Sequence, residues 1–104
     1  MIVLTAIYPY SRDGRFDYDH YIDVHVPLTL SVWSAFITGV SVNRGLPGLE
    51  GGDPAYSLMA QVYFKSEEAL QLAMQSPRMS ELVDDVANYS DHHAQVRIGR
   101  NLVG

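Results

Sequence analysis

Residues 2–8 read I-V-L-T-A-I-Y and stop at Pro9. The run is β-branched and aromatic, which predicts a strand. It has no polar side. A strand that is apolar on both sides belongs in the middle of a sheet whose two faces are both covered. The chain must therefore supply flanking strands, a layer for one face of the sheet, and something to close the other.

The flanking pieces can be read in order. Residues 9–15, P-Y-S-R-D-G-R, are turn formers. A helix is expected from about Asp17 to Ser34, with Asp17 or Asp19 as its cap and both acids at its positive end. Tyr18, Tyr21, Ile22, His25 and Leu28 fall on one face of it. Pro27 conflicts with that helix. It removes a backbone donor and leaves the Asp23 carbonyl unpartnered, which costs roughly 3 kcal/mol or forces a kink. Residues 36–44 alternate, with Phe36, Thr38, Val40 and Val42 on one side and Ile37, Gly39, Ser41 and Asn43 on the other. After a Gly/Pro-rich loop from Gly45 to Pro54, residues 55–64 form a third strand. Tyr56, Leu58, Ala60, Val62 and Phe64 make its apolar face; Ala55, Ser57, Met59, Gln61 and Tyr63 make a mixed one.

Ser66 then caps a helix with acids in its first turn. Ser76-Pro77 opens a further helical segment, with Pro77 at its first position. Met79, Leu82, Val83 and Val86 form its apolar face, and Asp84 and Asp85 point elsewhere. Asn88 to Asp91 reads as a polar turn. Residues 92–100 are a fourth strand, with Ala94, Val96 and Ile98 opposed to His93, Gln95 and Arg97.

The order β-α-β-β-α-β is the split βαβ arrangement. It predicts one α+β, ferredoxin-like domain over residues 1–104. Its four-stranded antiparallel sheet would run 4-1-3-2, with both helices on one face. The other face, with Met59, Tyr63 and half of strand one, would be left bare. An apolar patch of that kind calls for a cover, and a second copy of the chain closing face to face is the expected one. A domain of 104 residues has limited core area, so burial against a partner helps it.

Composition narrows the function. The chain is 47% hydrophobic and 18% charged, as an ordered globular domain should be. Its net charge is −5 and it has no Lys/Arg cluster, a close pair such as Arg97 and Arg100 being too little, which argues against nucleic-acid or anionic-membrane binding. The absence of cysteine excludes disulfides, thiolate chemistry and a Cys-rich zinc site. The first ten residues lack the basic region of a signal peptide and are too short to span a membrane, so the cytoplasm is the default location. G-L-P-G-L-E-G-G (45–52) has no following Lys-Ser/Thr and does not open a helix, so it is not a phosphate loop.

The stretch F-D-Y-D-H-Y-I-D-V-H-V-P-L (16–28) resembles the signature of the EthD family: a Phe-Asp opening, an aromatic residue, then His-x-Pro-Leu. D-V-A-N-Y-S-D (85–91) resembles that family's Asp-x-x-Asn-aromatic-x-Asp segment. The resemblance covers nearly the whole chain. It implies a ferredoxin-like subunit that pairs into a dimeric α/β barrel, and it implies a functional role for His25. The family is named from an ether-degradation gene cluster, and many members have no assigned reaction.

An imidazole titrating near pH 6.5 can serve as acid or base, which suits His25 to catalysis. Tyr21, four residues earlier, is its neighbour and would orient it or donate a proton. Tyr18 and Trp33 would line the same cavity. Asn43, Gln61 and Tyr63, on the mixed strand faces, would contact a ligand or hydrogen-bond across a dimer. His25 can also be read as a core histidine bonded across the helix–sheet interface. Asp85 and Asp91 match the second family segment and can be read as functional, but turn and cap chemistry is the expected role for them and for Asn88. Adjacent His92 and His93 would face opposite sides of a strand, and no metal site is expected. No flavin, haem or nicotinamide motif appears, so no cofactor is expected. The resemblance, extended to related barrel proteins, implies a cofactor-free isomerase, decarboxylase, dehydratase or monooxygenase acting on a small, hydrophobic, oxygenated metabolite. The alternative is a binding or accessory protein for such a metabolite.

Overall fold

The structure is a computed structural model and describes residues 1–104. Strand β1 (Ile2–Pro9) leads to a single α-turn, α1 (Tyr18–His20). A π-helical turn (Tyr21–His25) and helix α2 (Val26–Trp33) continue from it. Then follow β2 (Ile37–Arg44), β3 (Tyr56–Phe64), α3 (Glu67–Met74), α4 (Met79–Tyr89) and β4 (Gln95–Arg100). The four strands form one antiparallel sheet in the order β2-β3-β1-β4. This is the ferredoxin-like α+β architecture, with β1 and β3 in the middle as the apolarity of β1 requires. No helix is long and apolar enough to cross a membrane.

Register decides which side chains meet the helices. Leu4 lies opposite Val62 and Ile98, and Ala6 opposite Ala60 and Val96. Ile2, Leu4, Val62 and Phe64 are buried against Val32, Trp33, Ala73 and Leu82. A second cluster is largely aromatic: Tyr8, Tyr21 and Tyr89 around Leu58 and Ala60. Val3, Thr5, Ile7, Met59, Gln61 and Tyr63 are half-buried and lie on the opposite face of β1 and β3, which no helix covers.

Three local readings change. In β2 the register shifts between Ile37 and Gly39, so Ile37 is buried with Phe64. Ile37 therefore joins Val40 against the core, whereas strict alternation separated them. Strand β4 begins at Gln95, so His92 and His93 precede it and are not bound by strand alternation.

The third change concerns Pro27. The Asp17 carboxylate accepts from the His20 N–H at 3.0 Å and caps the first turn. The Val26 N–H then bonds back to the Tyr21 carbonyl, five residues away. Pro27, in the first turn of α2, has no N–H to give and would clash with the carbonyl four residues before it. Widening the preceding turn relieves both problems. The expected kink is thus a π turn, and it shifts the helical phase. Tyr21 and His25 are buried, but Ile22 is 49% exposed and leaves the inner face predicted for it. Thr29, Val32 and Trp33 take up the inner face beyond the turn.

Candidate active site

A cavity of about 280 Å³ lies between the helices and the sheet. Of its 19 lining residues, 16 are hydrophobic or tyrosine, and only His25, Thr29 and His93 are not. The polar chemistry is therefore confined to a few atoms. Tyr8, from the end of β1, and Tyr21 and His25, from the π turn, supply most of them. Met74, Val83 and Val96 also line the cavity and are 41%, 56% and 51% exposed, so they mark its mouth.

His25 is 8% exposed and held on several sides. Its Nδ1 lies 2.9 Å from Oδ2 of Asp85 on α4. Tyr21 stacks on the imidazole at 5.0 Å and 30°, and Tyr89 meets it edge-on at 4.8 Å. The Tyr89 hydroxyl lies 3.5 Å from Nε2 and 2.5 Å from the Tyr8 hydroxyl. Thr29 spends its own hydroxyl on the His25 carbonyl at 2.9 Å, which ties the π turn to α2.

The electrostatics set the tautomer. Burial disfavours the Asp85 anion, but Asn88, His20 and His25 together outweigh it and hold the carboxyl below its ordinary range. An ionised carboxylate only accepts, so Nδ1 of His25 carries the proton and Nε2 carries a lone pair. Burial holds His25 below its ordinary pKa, against the opposing pull of Asp85, so the ring is neutral at neutral pH. The result is a neutral imidazole base, oriented by a carboxylate, at the edge of an apolar cavity. Burial raises Tyr21, Tyr8 and Tyr89, so all three keep their protons and act as donors. The Tyr21 hydroxyl has no hydrogen-bond partner in the protein. No buried polar atom is left unpaired, so that hydroxyl retains accessible surface, and the cavity is where this 4% exposed residue meets open space.

The structure brings together only part of the predicted set. His25 and Tyr21 share the cavity, and Trp33 forms its wall with its indole N–H on the Ala73 carbonyl at 3.3 Å. Tyr18 is not on the cavity. Its hydroxyl bonds the Ser57 carbonyl at 3.0 Å, and the Arg44 guanidinium sits 4.0 Å above its ring. Asn43, Gln61 and Tyr63 lie on the far side of the sheet, where the Tyr63 hydroxyl donates to Gln61 at 3.1 Å. The sheet itself separates these three from His25, so they cannot touch a ligand beside it.

Asp85 corrects a sequence expectation outright. It does not point away from the helix face or serve a turn; it is 8% exposed and faces His25 and His20. The inner face of α4 is Leu82, Asp85, Val86 and Tyr89, whereas Val83 turns to the cavity mouth. That spacing was legible as i, i+3, i+4, i+7 had an acid been allowed into an apolar stripe. Asn88 is in the helix, with its amide on Asp85 Oδ1 at 3.0 Å. Asp91 binds the Arg15 backbone N–H at 2.9 Å. Tyr8 and Tyr89 were not singled out from sequence, and His93 was weighed only as a metal ligand. Tyr8 had a signal, since it shares the inward parity of Ile2, Leu4 and Ala6. One nitrogen of His20 and one of His25 face Asp85 oxygens at hydrogen-bond distance, and no three His, Cys, Asp or Glu side chains are grouped so as to hold a metal ion.

Comparison with known proteins agrees with this architecture. The EthD domain model matches residues 13–93, which hold every member of the Asp85–His25 network except Tyr8. The chain belongs to the EthD family. An 11.0 kDa protein of Rhodococcus erythropolis, uncharacterised and encoded in the thcB-thcC intergenic region, is 31% identical over 94 residues, 86% of this chain and 84% of that one. The crystal structure of an EthD-like protein from Ralstonia eutropha superposes with a TM-score of 0.91 at 30% identity, covering 98% of this chain and 92% of that one. SnoaB, a cofactor-independent oxygenase from Streptomyces nogalater, superposes at 0.67 with 8% identity, covering 99% and 94%, which is a likeness of fold.

Proposed function

We propose that this EthD protein is a small-molecule enzyme that moves a proton on a largely apolar, oxygenated ligand. The observation that carries the reading is the Asp85–His25 pair. It puts a neutral, oriented base beside a cavity with few other polar groups. His25 Nε2 would take a proton from a weakly acidic C–H or O–H, and Asp85 would stabilise the resulting imidazolium. The free Tyr21 hydroxyl would donate to the enolate or phenolate oxygen left behind. Isomerisation and dehydration begin with such an anion, whereas decarboxylation forms one as CO₂ leaves, and the same Tyr21 hydroxyl would stabilise its oxygen. Reaction of an electron-rich ring with dissolved oxygen also begins with such an anion, and the fold shared with SnoaB makes that class worth assaying first.

The test is proton exchange. Enolisable ketones and hydroxylated aromatics are incubated with the protein in D₂O, and deuterium uptake is followed by mass spectrometry. The expected result is catalysed uptake that His25→Ala abolishes while ligand affinity stays within about tenfold. Binding without exchange for every ligand would favour the alternative, a carrier or accessory protein. The wide mouth at Met74, Val83 and Val96 would suit such a protein to receiving and releasing an apolar cargo.

We also infer that two copies pair through the uncovered sheet face, where Val3, Ile7, Met59 and Tyr63 are half-buried but lack an overlying layer. Asn43 and Gln61 would then serve that interface. Met59→Asp should shift native mass spectra from dimer to monomer, and an unaltered dimer would refute the pairing.

A further inference from the structure

The Asp85 carboxylate serves two histidines. Oδ2 faces His25 Nδ1 at 2.9 Å, whereas Oδ1 receives His20 Nε2 at 2.8 Å and the Asn88 amide at 3.0 Å. The two rings differ in access to water: the His20 side chain is 24% exposed and that of His25 10%. His20 lies nearly parallel to the Tyr89 ring, at 6.2 Å and 25°, so it is held in place by the same tyrosine that abuts His25.

We propose that His20 is a positioning residue that couples the cavity base to solvent pH: a proton on His20 claims part of the Asp85 charge and thereby weakens His25 as a base. The geometry requires this coupling. One carboxylate cannot give its full charge to two imidazolium ions at once, and a cation at His20 opposes a second at His25. No other titratable group bonds the Asp85 carboxylate. From the π turn and α4, Tyr21 and Tyr89 keep their protons, as does Tyr8 from β1. Asp17 and Asp19 lie on the turn that carries His20, where Asp17 is committed to the cap. His93 lines the same cavity as His25, makes no side-chain hydrogen bond and is exposed. Asn88 does not titrate; with His20 it fixes Oδ1, which leaves Oδ2 for His25.

The inference rests on His25 being the cavity base, but its test needs no substrate. Histidine ring signals of the full chain are followed by NMR as pH is varied, in the parent and in His20→Gln. Glutamine retains an amide donor for Oδ1 and cannot take up a proton. Removing the competing cation should move the His25 midpoint upward by roughly 0.5–1 pH unit and reduce its curve to one step. In the parent, the His25 curve should be broader than a single-site titration. An unchanged His25 midpoint in His20→Gln overturns the proposal, and so does a parent His25 curve that already fits a single site. Either result would leave the proton-exchange reading standing. Loss of exchange activity with the coupling intact would do the reverse.

Discussion

Replacing Asp85 by asparagine isolates what one buried carboxylate does, because the substitution keeps shape and removes only charge and one acceptor. Three donors converge on Asp85: Asn88, His20 and His25, at 3.0, 2.8 and 2.9 Å. An amide has a single acceptor oxygen, so one side of the group must now present N–H₂ to a former donor. If that side faces His25, the imidazole must move its proton to Nε2 to accept, which removes the lone pair from the cavity. If it faces Oδ1's partners, the Asn88 and amide donors oppose one another. Hydrogen bonds to a charged group contribute roughly 1.5–3 kcal/mol each. With one lost and two weakened to neutral bonds, the loss is about 3.5–5 kcal/mol; no longer burying a charge offsets part of it, which leaves an expected cost of about 2–3 kcal/mol. For a domain of this length that corresponds to a fall in Tm of roughly 10 °C. Urea denaturation at pH 7.5 gives the free energy, and nitrogen shifts of the His25 ring give its tautomer. A variant within about 0.5 kcal/mol of the parent, with Nδ1 still protonated, would refute the account of Asp85 as the group that sets the base.

Further outcomes follow from the same geometry. Because burial lowers His25 in the fold, the unfolded chain takes up a proton below about pH 6.5 that the folded chain resists, so stability should fall as pH drops through that point. Asp85 is also lowered, and its contribution is present above its unfolded value near 3.8 and lost below it. Denaturation midpoints between pH 8 and 3 should therefore decline in two stages, and a flat profile would contradict both. Tyr21→Phe should leave stability within about 0.5 kcal/mol, since its hydroxyl has no partner, whereas Tyr89→Phe should cost about 1–1.5 kcal/mol by breaking the buried bond to Tyr8. Equal effects on thermal unfolding would place the free hydroxyl wrongly. Gly45→Ala should destabilise by several kcal/mol or displace the 45–55 loop, because the new Cβ would lie 1.7 Å from the Tyr56 carbonyl oxygen. An unshifted Tm would show that this close approach is relaxed in solution.

The strands were legible because their signal is local. The two-sided apolarity of Ile2 to Tyr8 and the clean alternation of Tyr56 to Phe64 follow from a side-chain period of two. Together with the element order, they determined the 4-1-3-2 sheet and the helical layer. His25 and Tyr21 were legible as neighbours, being four apart on one helix. The split of the polar strand residues from the cavity was not, because Asn43, Gln61 and Tyr63 are polar for any role and only the sheet's two sides separate them from His25.

Tertiary structure decided the rest, through contacts between distant residues. An aspartate in an apolar stripe reads as an error until a partner 60 residues away compensates its burial, and only the packing of α4 on the π turn brings Asp85 to His25. The π turn itself is a compromise between Pro27, which cannot complete an α-turn, and the core, which keeps Tyr21, His25 and Thr29 inward while Ile22 turns to water. Local periodicity determined which elements exist. The energy of burying charge and aromatic rings determined how they meet, and with it where His25 and Asp85 lie.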